Sequence, residues 1–279
     1  MFSSSPNPEQ SPPELFYTRH SPPSNNAGIT YPPIIFLHGG ASCHLEFDPV
    51  VGFLSNDHEC ILVDLPGHSG SRAIPFTEDT AVDGIAHIIT THVKGKKAHI
   101  VGLSLGGHMG LALAQKYPEL VLSLFCTGCV LGGLKRWFLS RPRLMACIEM
   151  GAGRAITESM FWYSLGVEKP IAGLRDELLR NHSMATLTGV YNACTATSLV
   201  RLAQVEDVRI AIVAGGKQDS VDGTREAGRV LKGQNPACRA FVVRRANHWW
   251  DVQFPELFAQ GVRAWVDGRE MPEEYEVLE

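Results

Sequence analysis

A serine flanked by glycines lies where an apolar run passes directly into a helical pattern. The segment Gly102-Leu103-Ser104-Leu105-Gly106 follows the run Ala98 to Val101 and opens a helical pattern over Leu105 to Lys116. Glycines two positions before and after the serine permit a sharp turn that lifts the hydroxyl out of the sheet. The spacing therefore predicts Ser104 as a nucleophile on a strand-to-helix turn.

A serine hydroxyl is a weak nucleophile, so a base is expected later in the chain. His248 follows the apolar run Phe241 to Val243 and precedes the last helical pattern, Pro255 to Asp267. Its loop would project from the same sheet edge as Ser104, and His248 is therefore predicted as the base. The other histidines near expected active-site loops are interpreted as hydrogen-bonding or packing residues: His38, His44, His68 and His108.

The base needs a carboxylate that fixes its tautomer and stabilises its charged form. Asp219 follows the run Ile210 to Val213 and lies between the nucleophile and the base in the chain. Asp222 lies further into the next turn and is interpreted as a helix cap, and Asp251 as a residue at a helix start. Asp219 is therefore predicted as the acid.

The negative oxygen formed in acyl transfer needs two backbone N–H donors. One follows the nucleophile, at Leu105, and the other is expected at Gly40 in the loop His38-Gly39-Gly40-Ala41, directly after the run Ile34 to Leu37. This glycine-rich loop lacks the lysine and hydroxyl residue of a P-loop and the spacing of a dinucleotide fingerprint, which disfavours nucleotide binding.

Short apolar runs alternate with helical patterns along most of the chain, which predicts an α/β fold with a doubly wound, mostly parallel sheet. A short edge strand is expected within Glu14 to His20, followed by a turn at residues 21–26. The apolar runs predicted as strands are Ile34 to Leu37, Cys60 to Val63, Ala98 to Val101, Val121 to Phe125, Ile210 to Val213 and Phe241 to Val243. The predicted helices are Thr80 to His92, Leu105 to Lys116, Gly223 to Leu231 and Pro255 to Asp267.

Residues 129–206 interrupt this alternation with helical stretches rich in aromatic residues, and are interpreted as an inserted helical lid. The predicted organisation is a leader at 1–13, an α/β core at 14–128 and 207–268, the lid, and a loosely held acidic tail at 269–279. Trp137, Trp162 and Trp249 are the candidate substrate contacts, although packing is the more common role of any single aromatic ring in such a segment. Three arginines could face an anionic carrier or CoA, or simply solvent: Arg136, Arg141 and Arg143.

Composition favours a globular enzyme with a small-molecule partner. The formal net charge is −4, and basic residues form no long run, which argues against nucleic acid and anionic membranes as partners. No apolar run approaches membrane-spanning length, so a cytoplasmic location is expected. The seven cysteines lack paired metal-ligand spacing; Cys126 and Cys129 form an isolated C-x-x-C, and no cofactor or metal is expected.

Together these segments resemble the α/β-hydrolase superfamily. The resemblance spans about residues 33–267 and rests on His38-Gly39-Gly40, on Asp64 to Ser71, on Gly102 to Gly107, and on Asp219 and His248. It implies that Asp64-Leu65-Pro66-Gly67 is a structural turn and that the serine, aspartate and histidine form a catalytic triad.

The predicted function is hydrolysis of an ester, thioester or lactone through an acyl-enzyme, on a small, largely apolar substrate that is free or linked to a carrier or CoA. Two alternatives use the same triad: hydrolysis of a carbon–carbon bond, for which Trp249 after the base is a weak indication, and biosynthetic acyl transfer or cyclisation. A third is a receptor-like protein that binds a ligand and turns it over slowly. The sequence does not indicate an oligomeric state.

Overall fold

Six parallel strands form the centre of one eight-stranded sheet in the computed structural model, which describes residues 11–23, 31–167 and 169–279. Across the sheet the strand order is β1-β3-β2-β4-β5-β6-β7-β8, and β1 and β8 run antiparallel at the two edges. In chain order the strands are β1 Tyr17–His20, β2 Ile34–Leu37, β3 Cys60–Val63, β4 Ala98–Leu103, β5 Val121–Thr127, β6 Ile210–Gly215, β7 Arg239–Val243 and β8 Glu276–Val277.

Helices cover both faces of this sheet. They are α1 Asp48–Leu54, α2 Glu78–His92, α3 Leu105–Lys116, α4 Gly133–Leu139, α5 Pro142–Ala155, α6 Glu158–Leu165, α7 Leu174–Asn181, α8 Met184–Ala196, α9 Leu199–Leu202, α10 Val221–Gln234, α11 Trp250–Gln253 and α12 Pro255–Val266. A short 3₁₀ helix, His44–Phe47, precedes α1.

Alternate residues of the central strands feed two separate cores. In β2, Ile35 and Leu37 pack in the core that holds α2, α3 and α10, whereas Ile34 and Phe36 pack in the core that holds α1 and α12. All four side chains are fully buried. Burial of one such side chain contributes about 1.5–3 kcal/mol, which explains why the parallel strands are apolar on both faces.

The predicted doubly wound α/β fold is confirmed. The runs predicted as β2 and β3 match the observed strands, and the Leu105 to Lys116 helix matches α3. The sequence reading missed α1, whose short segment contains both a proline and a glycine and shows no extended helical period. Residues 1–10 of the predicted leader and 24–26 of the predicted turn lie outside the described residues.

The expectation of a loosely held acidic tail at 269–279 was wrong. Glu276–Val277 pairs with β7 as the edge strand β8, and Tyr275 and Leu278 are buried beside it. The Tyr275 hydroxyl donates a hydrogen bond to the Leu257 carbonyl. Two anchored apolar side chains outweigh the solubility of the neighbouring glutamates, and the tail therefore belongs to the sheet.

The interval between β5 and β6 is helical throughout its regular elements, from α4 to α9. Part of it forms a third apolar cluster with Ala41 and Cys43 of the loop that follows β2. Within the described ranges, no helix is both long and apolar enough to cross a membrane. Six cysteines are buried as free thiols; Cys147, on α5, is exposed.

Candidate active site

Ser104 occupies the tight turn between β4 and α3. Its backbone has φ 50° and ψ −111°, a region that costs a non-glycine residue about 1–3 kcal/mol. The end of β2 packs directly against this turn, and only a glycine fits at position 106, because a Cβ atom there would lie 1.8 Å from the Leu37 carbonyl oxygen. The Ser104 amide donates to the Thr127 carbonyl at 2.8 Å, which fixes the turn to the end of β5. The strained backbone agrees with the geometry expected of a nucleophile.

His248 and Asp219 are hydrogen-bonded partners. The distance from His248 Nδ1 to Asp219 Oδ1 is 2.5 Å, and their side chains are 18% and 2% exposed. Because an ionised carboxylate only accepts, Nδ1–H donates and Nε2 keeps a free lone pair. The other Asp219 oxygen accepts the Gly215 amide at 2.8 Å. The histidine is thus held in the tautomer that a general base requires.

The end of β5 contacts the backbone of Ser104 and lies beside the side chains of His248 and Asp219. Gly128 follows β5 in a left-handed conformation with φ 64°, and a Cβ atom there would lie 2.6 Å from Cε1 of His248 and 3.5 Å from Asp219. Thr127 binds the Ser104 amide through its carbonyl and accepts the indole N–H of Trp250 at 2.8 Å through its hydroxyl. Thus β5, between the strands that precede Ser104 and Asp219, contacts the segments of both residues.

Hydrogen bonding in the loop after β2 leaves the Gly40 amide available. The Gly39 amide donates to the Glu46 carboxyl, the Ala41 amide to His68 Nε2 at 3.1 Å, and the Ser42 amide to the Gly39 carbonyl. Within the described part of the chain, the Gly40 amide has no acceptor. The Leu105 amide is the first of α3 and has no intrahelical acceptor. Gly40 and Leu105 therefore retain the donors predicted for an oxyanion hole.

Two buried imidazoles, those of His38 and His68, act as neutral hydrogen-bond acceptors and hold this loop in place. His38 Nε2 accepts the Leu65 amide at 3.0 Å, and each ring places Nδ1 against a backbone carbonyl. Burial lowers the pKa of His38 and lowers that of His68 to about 3. Both rings consequently stay uncharged at neutral pH, as the interpretation of them as hydrogen-bonding residues requires.

The remaining histidine candidates form hydrogen bonds within the fold. His44 binds Asp64 at 2.9 Å, and His108 binds Thr197 at 2.6 Å. The interpretation of Asp222 as a cap was wrong: the N-cap of α10 is Ser220, whose hydroxyl accepts the Gly223 amide. Ser220 stands one position before the helix, where its short side chain reaches the first turn.

Asp251 lies in the first turn of α11, as interpreted from the sequence, but its side chain is fully buried. A helix-start carboxylate is ordinarily exposed to water, so burial gives this residue a different environment from the one expected.

The three candidate tryptophans differ in exposure. Trp162 is buried and shares the third apolar cluster with the half-buried Trp249. Trp137 is 54% exposed and stacks against Phe138 and the Arg141 guanidinium. Substrate contact by all three stays a prediction, and it is better supported for the pair in the cluster.

Sequence reasoning missed Asn181, at the end of α7. This residue is 1% exposed, and its amide nitrogen donates to the Ala41 and Ser42 carbonyls. Its carbonyl oxygen accepts the Ser69 amide and the Arg72 guanidinium. A single asparagine thus joins the helical insertion to the loops after β2 and β3. An isolated asparagine in a polar helix carries no sequence signal for such a role.

Replacing Gly128 with alanine is expected to lower kcat about 10–100-fold, because the added methyl group would displace the His248 imidazole by part of an ångström. The left-handed backbone adds a stability cost of about 1–2 kcal/mol. Ester turnover and the thermal midpoint Tm, measured on the same preparations, check both effects.

Gly268→Ala is the matched control for this variant. Gly268 has φ 69°, and no atom lies within 4 Å of an added Cβ. It should lose comparable stability and keep its activity. Equal kcat values for Gly128→Ala and Gly268→Ala would contradict the assigned contact between residue 128 and the imidazole.

A mostly parallel sheet with helices on both faces, and with polar side chains gathered at its carboxyl edge, defines an α/β enzyme domain. The chain belongs to the alpha/beta hydrolase family, whose model matches residues 34–261.

Relatives and solved structures agree with this assignment. An AB hydrolase superfamily protein of Gibberella zeae is 28% identical over 270 residues, which cover 95% of this chain and 88% of that protein. The pimeloyl-[acyl-carrier protein] methyl ester esterase of Neisseria meningitidis is 28% identical over 251 residues, with 84% and 93% covered. The fold is similar to that of a hydrolase from Pseudomonas aeruginosa, with a TM-score of 0.70 at 18% identity over 91% of this chain and 94% of that one.

Proposed function

We propose that this chain is a serine hydrolase that cleaves an ester, thioester or lactone of a small, largely apolar substrate through an acyl-enzyme. The observation that carries the proposal is the His248–Asp219 hydrogen bond of 2.5 Å at the sheet edge where Ser104 stands on its strained turn. Serine, histidine and aspartate in this chain order suit acyl transfer.

In the proposed reaction, Ser104 Oγ attacks the substrate carbonyl while Nε2 of His248 takes the hydroxyl proton. The Gly40 and Leu105 amides donate to the oxygen that becomes negative. As the carbonyl re-forms, the imidazolium returns its proton to the departing alcohol or thiol, and the acyl group remains on Ser104. Water then repeats the sequence with His248 as base, which releases the acid and the free serine.

The substrate class follows from the insertion between β5 and β6, which we interpret as a lid. Its buried ring Trp162 clusters with Trp249, next to the proposed base, and with Cys43 of the loop that carries the proposed oxyanion donor. An apolar wall of this kind favours an apolar acyl or aromatic group over a peptide. The esterase from Neisseria, whose name specifies a carrier-linked methyl ester, makes carrier-linked esters a reasonable class to assay.

The test combines a fluorophosphonate probe with substrate profiling. Intact-mass measurement is expected to show one probe molecule per chain, and peptide mapping is expected to place it on Ser104. A p-nitrophenyl ester series from acetate to dodecanoate, with a matching acyl thioester, ranks the acyl groups. Turnover should be multiple and should favour apolar chains.

Each other outcome points to a different reading. A folded wild-type protein that the probe does not label would contradict the serine-hydrolase proposal. Labelling followed by a single turnover would favour a receptor-like protein. Ester formation that outcompetes hydrolysis when a primary alcohol is added would indicate acyl transfer.

A further inference from the structure

Two carboxyl groups outside the proposed triad meet in the core beneath the site. Glu46 belongs to the 3₁₀ helix that follows the loop after β2, and Asp251 to the first turn of α11. Both side chains are fully buried, and the two carboxyl groups face each other closely enough to share one hydrogen bond when one of them is protonated. We call Glu46 and Asp251 the acid pair. Two carboxylates in contact repel each other, so the arrangement requires at least one proton.

The hydrogen bonds of the two carboxyl groups show why the acid pair needs that proton. Glu46 accepts the Gly39 amide with both oxygens, at 3.2 and 3.3 Å, as a carboxylate does. Neither oxygen of Asp251 accepts a hydrogen bond from an N–H or O–H of the described residues. A buried carboxylate without donors costs several kcal/mol. A proton shared between the two carboxyl groups supplies the donor that Asp251 otherwise lacks.

The cations on the elements packed around the acid pair have other partners. His44, on the 3₁₀ helix, binds Asp64, and Arg263, on α12, binds Asp57. The Cys43 thiol faces Glu46, but burial raises its pKa to about 12, so it is neutral. The acids on these elements are Asp48, Glu158 and Glu256. With no counter-charge supplied from these elements, the shared proton is what neutralises the acid pair.

The acid pair connects two parts of the proposed site, the loop after β2 and the segment that carries His248. Glu46 holds the amide of Gly39, next to the proposed oxyanion donor Gly40. Asp251 follows His248 by three residues, and Trp250 between them is tied to Thr127. A bond between Glu46 and Asp251 therefore sets the distance from the loop after β2 to the segment that carries the base.

We propose that Glu46 and Asp251 are positioning residues, which hold the oxyanion loop against the His248 segment through one shared proton. The inference rests on the proposed function, because it concerns the alignment of the same site. Loss of the proton places two negative charges in contact and separates the loop from the segment. A displaced amide donor stabilises the transition state less than before, so the loss falls on kcat rather than on KM.

The closing experiment compares three variants with the wild type in kcat, KM and pH profile from pH 5 to 9. Asp251→Ala leaves Glu46 without its partner, and kcat is expected to fall about 10–100-fold with KM nearly constant. Asp251→Asn supplies a permanent N–H donor and is expected to recover at least about tenfold of that loss. Because its amide does not ionise, it should also lack the alkaline decline of the wild type.

Glu256→Gln, an exposed acid on α12, is the matched control and should follow the wild-type profile. Glu46→Gln repeats the comparison from the other side of the acid pair, including the case in which a substitution at 251 prevents folding. Fluorophosphonate labelling of the wild type separates the two proposals. An unlabelled wild type overturns the hydrolase function; a labelled one whose alkaline limb is unchanged in both Asp251→Asn and Glu46→Gln overturns the role of the acid pair.

Stability supplies a readout that does not depend on turnover. Burial raises the pKa of Asp251 to about 7 and raises that of Glu46, which Asp251 raises further. Between pH 4 and 7 the folded chain therefore binds more protons than the unfolded chain, and this contribution to stability is lost as pH rises. Asp251→Asn removes part of it. Its Tm relative to the wild type is expected to increase from pH 4 to 7, and a constant difference would count against the shared proton.

Discussion

Ser104→Ala is expected to lower kcat for an activated ester by about 10⁴-fold or more, without loss of fold. In the proposed mechanism the hydroxyl oxygen forms the acyl-enzyme, and without it His248 would have no nucleophile to deprotonate other than water. Loss of the hydroxyl is also expected to leave the core packing unchanged, since Ser104 is only half-buried and the hydrogen bond from its amide to Thr127 is kept. Burst and steady-state kinetics, with Tm as the check on folding, measure the effect.

Ser140→Ala is the matched control, because Ser140 is an exposed serine whose hydroxyl donates to the Trp137 carbonyl one turn earlier in the chain. It should retain wild-type kcat and probe labelling. Retention of more than about one tenth of the activity by Ser104→Ala would remove this residue from the role of nucleophile.

Asp219→Asn is expected to lower kcat about 10³–10⁴-fold with little change in KM. The asparagine oxygen can still accept the Gly215 amide, which turns its NH₂ group towards His248 Nδ1. Nδ1 must then accept, so the ring proton moves to Nε2, where a lone pair is needed to take the serine proton. The variant is thus nearly isosteric and presents the wrong tautomer.

Asp222→Asn isolates this effect, because Asp222 is an exposed acid in the first turn of α10. Loss of its charge should leave kcat within about twofold, as is usual for surface positions. Comparable losses in the two aspartate variants would mean that the hydrogen bond to His248 is not what makes Asp219 important.

The sequence predicts the fold wherever apolar runs are buried on both faces. The strands β2, β3 and β4 are recognisable because every residue in them is buried, which leaves an apolar string in β2 and β3 and one interrupted by the polar His99 in β4. Strand β8 escaped prediction because only two residues pair and both are exposed, so neither length nor alternation marks it. Its position is set by Tyr275 and Leu278, which contact distant parts of the chain.

The candidate site was predictable at positions where chemistry is local. Ser104, Asp219 and His248 each follow a strand, and parallel strands bring their carboxyl ends to one edge. The residues that position them were not predictable in the same way. Glu46 and Asp251 lie more than 200 positions apart, and each alone resembles an ordinary surface acid. Their role depends on their burial against each other, and the burial of a single polar side chain produces no periodic pattern in the sequence from which it could be predicted.

Strand β8 also covers the outer edge of β7. Its backbone occupies the outer hydrogen-bonding groups of Phe241 and Val242 in β7, which would otherwise form an open edge with apolar side chains. Such an edge is a template on which a second chain can add a strand. The two-residue strand β8 and its acidic neighbours therefore leave only a short, charged edge at this side of the sheet, which offers little backbone to an added strand.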